Sequence, residues 1–129
     1  MVLIVGGVYQ GKLDYALNRF GFTKEQVYFC DDKSINTPAN KKIVNHFDKW
    51  ILALLKSNRT EAEMASEVQK FANSCLDAIV ICNDISCGVV PIDPLMRAWR
   101  EAVGRSLGTL SQQADEVIRL YCGIPTTLK

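Results

Sequence analysis

Residues 2–13 read VLIVGGVYQGKL, and this short segment decides the fold. The apolar run Val2–Val5 is rich in β-branched residues, which predicts a strand buried on both faces. It leads directly into Gly6-Gly7-Val8-Tyr9-Gln10-Gly11-Lys12, which matches the phosphate-binding pattern G-x-x-x-x-G-K. Glycines let backbone N–H groups curl around an anion, and a lysine at the start of a helix adds a point charge. We therefore predict a loop that binds a nucleotide or phosphate through Gly6, Gly7, Gly11 and Lys12.

Two parts of a complete nucleotide site are missing from the sequence. The position after Lys12, where a Ser or Thr hydroxyl would hold Mg²⁺, is Leu13. The carboxylate expected at the end of a neighbouring strand is replaced by Asn45. Four aspartates are candidate substitutes, although strand-end carboxylates commonly cap loops and helices instead: Asp31, Asp32, Asp48 and Asp84. We predict no complete metal site, and the alternative of a retained loop that no longer binds a nucleotide stays open.

Strand and helix patterns alternate along the remaining chain. The predicted strands are Val2–Val5, Val27–Cys30, Lys42–Asn45, Ala78–Cys82 and Glu116–Tyr121. The predicted helices run from Leu13 to Phe20, from Phe47 to Leu55, from the Thr60/Glu63 capping box to Cys75, from Asp93 to Gly104, and from Ser106 to Gln113. This order predicts an α/β fold of the P-loop NTPase type, with a mainly parallel sheet, the first strand in its centre and helices on both faces. A chain of 129 residues fits a single domain, residues 1–129.

Composition excludes several classes of protein. Fifteen basic and 14 acidic residues give a net charge of +1, which argues against nucleic-acid or anionic-membrane binding. No apolar run is long enough to span a membrane, and the N-terminal residues do not resemble a signal peptide, so we expect a cytoplasmic protein. Five cysteines without a CxxC pair indicate buried thiols, including Cys30, Cys82 and Cys122, rather than disulfides or a zinc site. The single His46 is expected to be structural or on the surface rather than a metal ligand.

Three arginines form another candidate feature. Arg97 and Arg100 share one face of a predicted helix, and Arg105 follows at its end. They fit either a phosphate or acidic partner, or a solvated face paired with Glu101. Spacing alone leaves both interpretations open.

An ordered series of segments resembles the bifunctional adenosylcobinamide kinase / adenosylcobinamide-phosphate guanylyltransferase family of cobalamin biosynthesis. Residues 81–91, ICNDISCGVVP, resemble the family's V-S-N-E-V-G-x-G-I-V-P segment. Arg97-Ala98-Trp99-Arg100-Glu101 with Gly104-Arg105 resembles its R-x-F-R-D-x-x-G-R helix. Ile43-Val44-Asn45 with Trp50 is similar to V-D-C-L-T-L-W, and residues 114–129 follow its A-D-x-V…G-L-P-x-x-L-K ending.

The resemblance implies a nucleotide (ATP or GTP), a corrinoid substrate and a homo-oligomer, most simply a trimer. The apolar Phe47–Leu55 helix is long enough to contribute to an interface. The departures from the family pattern predict that Mg²⁺ binding and kinase activity are weakened. The long insertion that carries the family's guanylyl-accepting histidine is absent, and His46 does not align with that histidine. Guanylyl transfer is therefore not expected, and we name no catalytic residue. A non-catalytic binding or assembly protein with the same fold is the alternative.

Overall fold

The computed structural model describes every residue from Met1 to Lys129. Six strands and four α-helices follow one another along the chain, with a short 3₁₀ turn at Lys24–Gln26 before the second strand. In order, they are β1 (Val2–Gly6), α1 (Lys12–Phe20), β2 (Val27–Phe29), β3 (Ile43–Asn45), α2 (Phe47–Lys56), α3 (Glu61–Ser74), β4 (Ile79–Asn83), α4 (Pro94–Gln113), β5 (Glu116–Tyr121) and β6 (Ile124–Thr127).

The strands form one sheet in the order β2-β3-β4-β1-β5-β6. All neighbouring pairs are parallel except β5 with β6, which are antiparallel. Strand β1 lies inside the sheet between β4 and β5, as the sequence predicts. The carboxyl ends of β1, β3 and β4 therefore meet at one edge, and the polar residues that follow these strands gather there.

Alternating side chains of each strand bury against opposite layers of helices. Leu3, Val80 and Val117 pack with α2, α3 and α4, where Phe47, Trp50 and Phe71 form the aromatic centre of the larger core. The isoleucines on the other face pack against α1 through Ala16 and its neighbours; they are Ile4, Ile43, Ile79, Ile81 and Ile118. The predicted α/β class, with a mainly parallel sheet and helices on both faces, is confirmed.

Helix α4 corrects one boundary of the sequence prediction. The residues from Pro94 to Gln113 form one helix of 20 residues, whereas the sequence suggested a stop at Gly104 and a second short helix. Glycine weakens an exposed helix by only about 1 kcal/mol, which does not force an end. Buried side chains on both sides of Gly104, among them Val103 and Leu110, hold the helix together.

Strand β6 is a second correction, because the sequence prediction ended the sheet at β5. Its residues are exposed along their whole length and carry no alternating pattern. Backbone pairing with β5 alone defines the strand. The turn before β6 exposes Cys122, so the expectation of a buried thiol is wrong there, while Cys30 and Cys82 are buried.

Two smaller expectations also change. The Thr60 hydroxyl accepts a hydrogen bond from the Glu63 amide, but the Glu63 carboxylate contacts that hydroxyl and not the Thr60 backbone, so the capping box is incomplete.

Helix α2 is enclosed within its own chain: Phe47, Ile51 and Leu54 have no exposed surface. It therefore offers no free apolar face to an oligomer interface. None of the four helices combines the length and hydropathy that a membrane span requires.

Candidate functional site

The loop between β1 and α1 is fixed at its base by close backbone packing. A Cβ atom on Gly6 would lie 2.5 Å from the carbonyl oxygen of Leu120, so only glycine fits at this position. The Gly6 carbonyl accepts a hydrogen bond of 2.8 Å from the Asp84 amide. At the other end, Gly11 has φ 81° and caps α1 in the left-handed conformation, which glycine adopts without strain. Gly6 and Gly11 of the predicted motif thus sit where the backbone requires glycine.

Lys12 turns inward at the first position of α1. Its side chain is buried, and Nζ donates a hydrogen bond of 2.6 Å to the carbonyl oxygen of Gly7. Burial lowers the pKa of Lys12, and the negative charge of Asp48, with a smaller contribution from Cys82, opposes that shift. The loop, the amino end of α1 and this ammonium group lie together, which is the geometry that the predicted motif requires.

A cleft of about 510 Å³ lies over the loop. Lys12 and Lys24 supply its cations, Asp14 is its one carboxylate, and Asn45, His46 and Asn83 form the wall at the strand ends. The lining thus carries one more cation than anion.

His46 lies in this wall, which the sequence did not predict. It adopts φ 59° directly before α2, and its amide donates a hydrogen bond of 2.8 Å to Oδ1 of Asn45. Nδ1 is buried without a hydrogen-bond partner. Burial lowers the pKa of His46, and the charges of Lys49 and Lys12 lower it further against the opposing effect of Asp48. The ring is therefore held in its neutral form.

Asp48 stands out among the four candidate carboxylates. It is only 2% exposed, and its two carboxylate oxygens accept hydrogen bonds from the backbone and side-chain nitrogens of Asn83, at 3.1 and 3.3 Å. Its own carbonyl oxygen accepts a hydrogen bond of 2.7 Å from Trp99 Nε1, which fixes the first turn of α2 against α4.

The other three aspartates have local structural roles. Asp31 accepts hydrogen bonds from the amides of the loop that follows it, and Asp32 pairs with Lys56 at 2.5 Å. Asp84 caps its own loop: burial would raise its pKa, but hydrogen bonds from Ser86 and Cys87 outweigh burial and keep it low. The sequence could not distinguish Asp48 from these residues, because the difference lies in burial and not in spacing.

The residues present do not fit a Mg²⁺ site. Leu13 has no oxygen to offer, and Oδ1 of Asn45 is taken by the His46 amide. Both oxygens of Asp48 are engaged by Asn83. No group of three His, Cys, Asp or Glu side chains converges anywhere in the chain.

The three arginines lie away from the cleft and serve two purposes. Arg97 donates to the carbonyl oxygen of Pro91 at 3.1 Å, and Arg100 donates to that of Val89 at 3.0 Å, so both brace the loop before α4. Arg105 pairs with Glu61 at 3.4 Å and with Glu101 at 3.7 Å. The solvated-face interpretation is therefore correct for Arg105, whereas Arg97 and Arg100 hold backbone carbonyls.

Comparison with known proteins agrees with this architecture. The family model for cobinamide kinase / cobinamide phosphate guanyltransferase matches residues 33–128, well over half of the chain. The match begins after the loop and α1, so the strand–loop–helix geometry of residues 2–20 is an independent observation. No curated protein matches the chain. The chain therefore belongs to the cobinamide kinase / cobinamide phosphate guanyltransferase family and has its P-loop NTPase-like fold.

Proposed function

We propose that the chain, acting as a single domain of residues 1–129, binds the phosphates of a nucleotide, or free phosphate, at Gly6, Gly7, Gly11 and Lys12. The observation that carries this proposal is the buried ammonium group of Lys12, which donates to Gly7 inside the loop at 2.6 Å. Burying a lysine costs free energy unless opposite charge compensates it, and Lys12 forms no direct ion pair, so a phosphate group can supply a charge in contact with the ammonium group.

The substrates follow from family membership. Cobinamide kinase and guanyltransferase chemistry supports a nucleotide, ATP or GTP, and a corrinoid as the ligands to test. We propose that nucleotide binding is weak and almost independent of Mg²⁺, because Leu13 and Asn45 do not supply metal ligands. Losing one charge-assisted contact costs about 1.5–3 kcal/mol. That is roughly ten- to a hundredfold in affinity.

Phosphoryl transfer is expected to be slow for the same reason. Metal ions normally bridge the phosphates and neutralise the charge that develops during transfer, and in this cleft only Lys12, Lys24 and the loop amides are available for that purpose. Guanylyl transfer to a histidine also needs cations that balance the leaving pyrophosphate. The segment that provides these groups in the family is absent here.

A non-catalytic binding or assembly protein is the second candidate. One observation favours it: the buried carboxylate nearest the cleft, Asp48, is fully engaged by Asn83 and is not free to act as a base. This candidate predicts ligand binding without turnover, whereas the enzyme predicts that cobinamide is consumed.

Calorimetry with phosphate, ATP and GTP, each with and without Mg²⁺, tests the proposal. The Lys12→Met variant should lose about ten- to a hundredfold in phosphate affinity. The matched control is Lys24→Met, which removes an exposed lysine from the same cleft and should lose much less. Equal phosphate affinity in Lys12→Met and the parent protein would refute the proposed site. Tight, strictly Mg²⁺-dependent ATP binding with phosphorylation of cobinamide would refute the metal-independent mechanism.

A further inference from the structure

Only two charged side chains are buried in the whole protein, and they carry opposite charges. Lys12 is 7% exposed and Asp48 is 2% exposed, while the other buried polar residues, Asn45 and Ser106, are neutral. Burying a lone charge is strongly unfavourable, so buried charges are normally compensated by a partner. The two groups do not form a direct ion pair, and their relation runs through the residues between them.

A short path of hydrogen bonds and strand pairing joins the two charges. Asp48 holds Asn83 through both carboxylate oxygens, at 3.1 and 3.3 Å. Asn83 is paired with Gly6 in the parallel register of β4 and β1. The next residue, Gly7, accepts the hydrogen bond from Lys12. Asp48 and Lys12 therefore flank the same two strand ends, one from the first turn of α2 and the other from the first turn of α1.

Comparison with the family's segment shows that the acidic residue stands at a different position in this chain. In the V-D-C-L-T-L-W segment that Val44–Trp50 resembles, the acid aligns with Asn45 and the threonine aligns with Asp48. The chain thus lacks the acid at the strand end and gains one a helical turn later. We propose that Asp48 is a positioning residue and the charge partner of Lys12, and that it supplies from a buried position the negative charge that Asn45 no longer provides.

The charges around Lys12 agree with this role. Desolvation lowers the pKa of Lys12, and Asp48 is the leading group that raises it, followed by the buried thiol of Cys82. The thiol is protonated, because burial raises the pKa of Cys82 well above its ordinary value. Besides these groups, the cleft contains the neutral His46 and the exposed charged side chains of Lys24 and Asp14. Asp48 is thus the buried carboxylate whose charge opposes the lowering of the Lys12 pKa.

The functional consequence rests on the proposed function. A phosphate ligand would bring its own negative charge to Lys12, and Asp48 partly compensates the buried ammonium group when no ligand is bound. The test below uses no phosphate or nucleotide, so its result does not depend on whether the proposed ligand binds.

The first experiment measures the Lys12 titration directly in ligand-free protein by NMR with isotope-labelled lysine, assigned with Lys12→Met. Asp48→Asn keeps the size of the side chain and removes its charge. We expect the pKa of Lys12 to fall further in this variant. Asp14→Asn is the matched control, because Asp14 is an exposed carboxylate of the same cleft. An Asp48→Asn titration that coincides with that of the parent protein, or of the control, would overturn the proposal.

The second experiment is a double-mutant cycle in urea denaturation with Lys12→Met and Asp48→Asn. Partners should couple, so that the double variant is more stable than the sum of the two single changes predicts. If Asp48→Asn does not fold alone, the double variant should still fold, because it contains neither buried charge. A double variant that is as unstable as additivity predicts would assign Asp48 a structural role only and would overturn the proposal.

Discussion

Replacing Gly6 or Gly7 by alanine should affect the stability of the protein to very different degrees. The two glycines are adjacent, yet their surroundings differ. A Cβ on Gly6 would lie 2.5 Å from the Leu120 carbonyl oxygen, whereas a Cβ on Gly7 would meet only Cγ of Gln10 at 3.5 Å. The first contact involves backbone of a neighbouring strand, and the second involves a flexible side chain in ordinary van der Waals contact.

The expected magnitude follows from that geometry. Carbon–oxygen contacts between strands lie at about 3.3 Å, so Gly6→Ala must move β1 and β5 apart by roughly 0.8 Å. Strand β1 is paired on both sides and cannot shift freely. Overpacking of this kind costs about 1–3 kcal/mol in the free energy of unfolding. Gly7→Ala should stay within about 0.5 kcal/mol of the parent protein.

Urea denaturation of the two variants provides the measurement, and thermal midpoints should agree at roughly 3–5 °C for each kcal/mol in a chain of this size. Gly6→Ala should also weaken phosphate binding, because the displaced strand carries the loop. Equal stability of the two variants would refute the argument that Leu120 fixes the base of the loop.

Three further predictions concern the same site and the assembly. Burial lowers the pKa of His46 in the folded chain, so the unfolded chain takes up a proton near pH 6.5 before the folded chain does. The free energy of unfolding should therefore fall as pH drops through about 6.5. Urea denaturation between pH 5 and 8 should show a weaker pH dependence in His46→Gln. Incubation with radiolabelled GTP should leave no acid-labile label on the protein, and a label lost in His46→Ala would contradict this expectation. Light scattering should show a homo-oligomer, with a trimer as the expected form, and a monomer at micromolar concentration would exclude it.

Much of the fold could be predicted from local patterns. The β-branched run before Gly6 and the helical spacing after Lys12 each involve residues close in sequence, and the structure confirms both elements. Strand β6 and the continuous helix α4 could not be predicted in this way. Strand β6 follows β5 after two residues, but its residues are exposed and have no alternating pattern, so only backbone pairing with β5 defines it. Helix α4 continues past Gly104 because side chains on both sides of that glycine are buried in the tertiary structure.

The candidate site likewise contains features that the sequence predicted and features that only the structure showed. The sequence by itself determined the motif Gly6–Lys12, the loss of a hydroxyl at Leu13 and the loss of an acid at Asn45, because these are properties of single positions in a recognisable order. Only the tertiary structure decided which aspartate is buried and where His46 lies. Four aspartates follow or adjoin predicted strand ends, and their spacing does not distinguish them. Asp48 alone is buried, because the first turn of α2 packs it against Asn83 at the end of β4, where solvent cannot screen its charge.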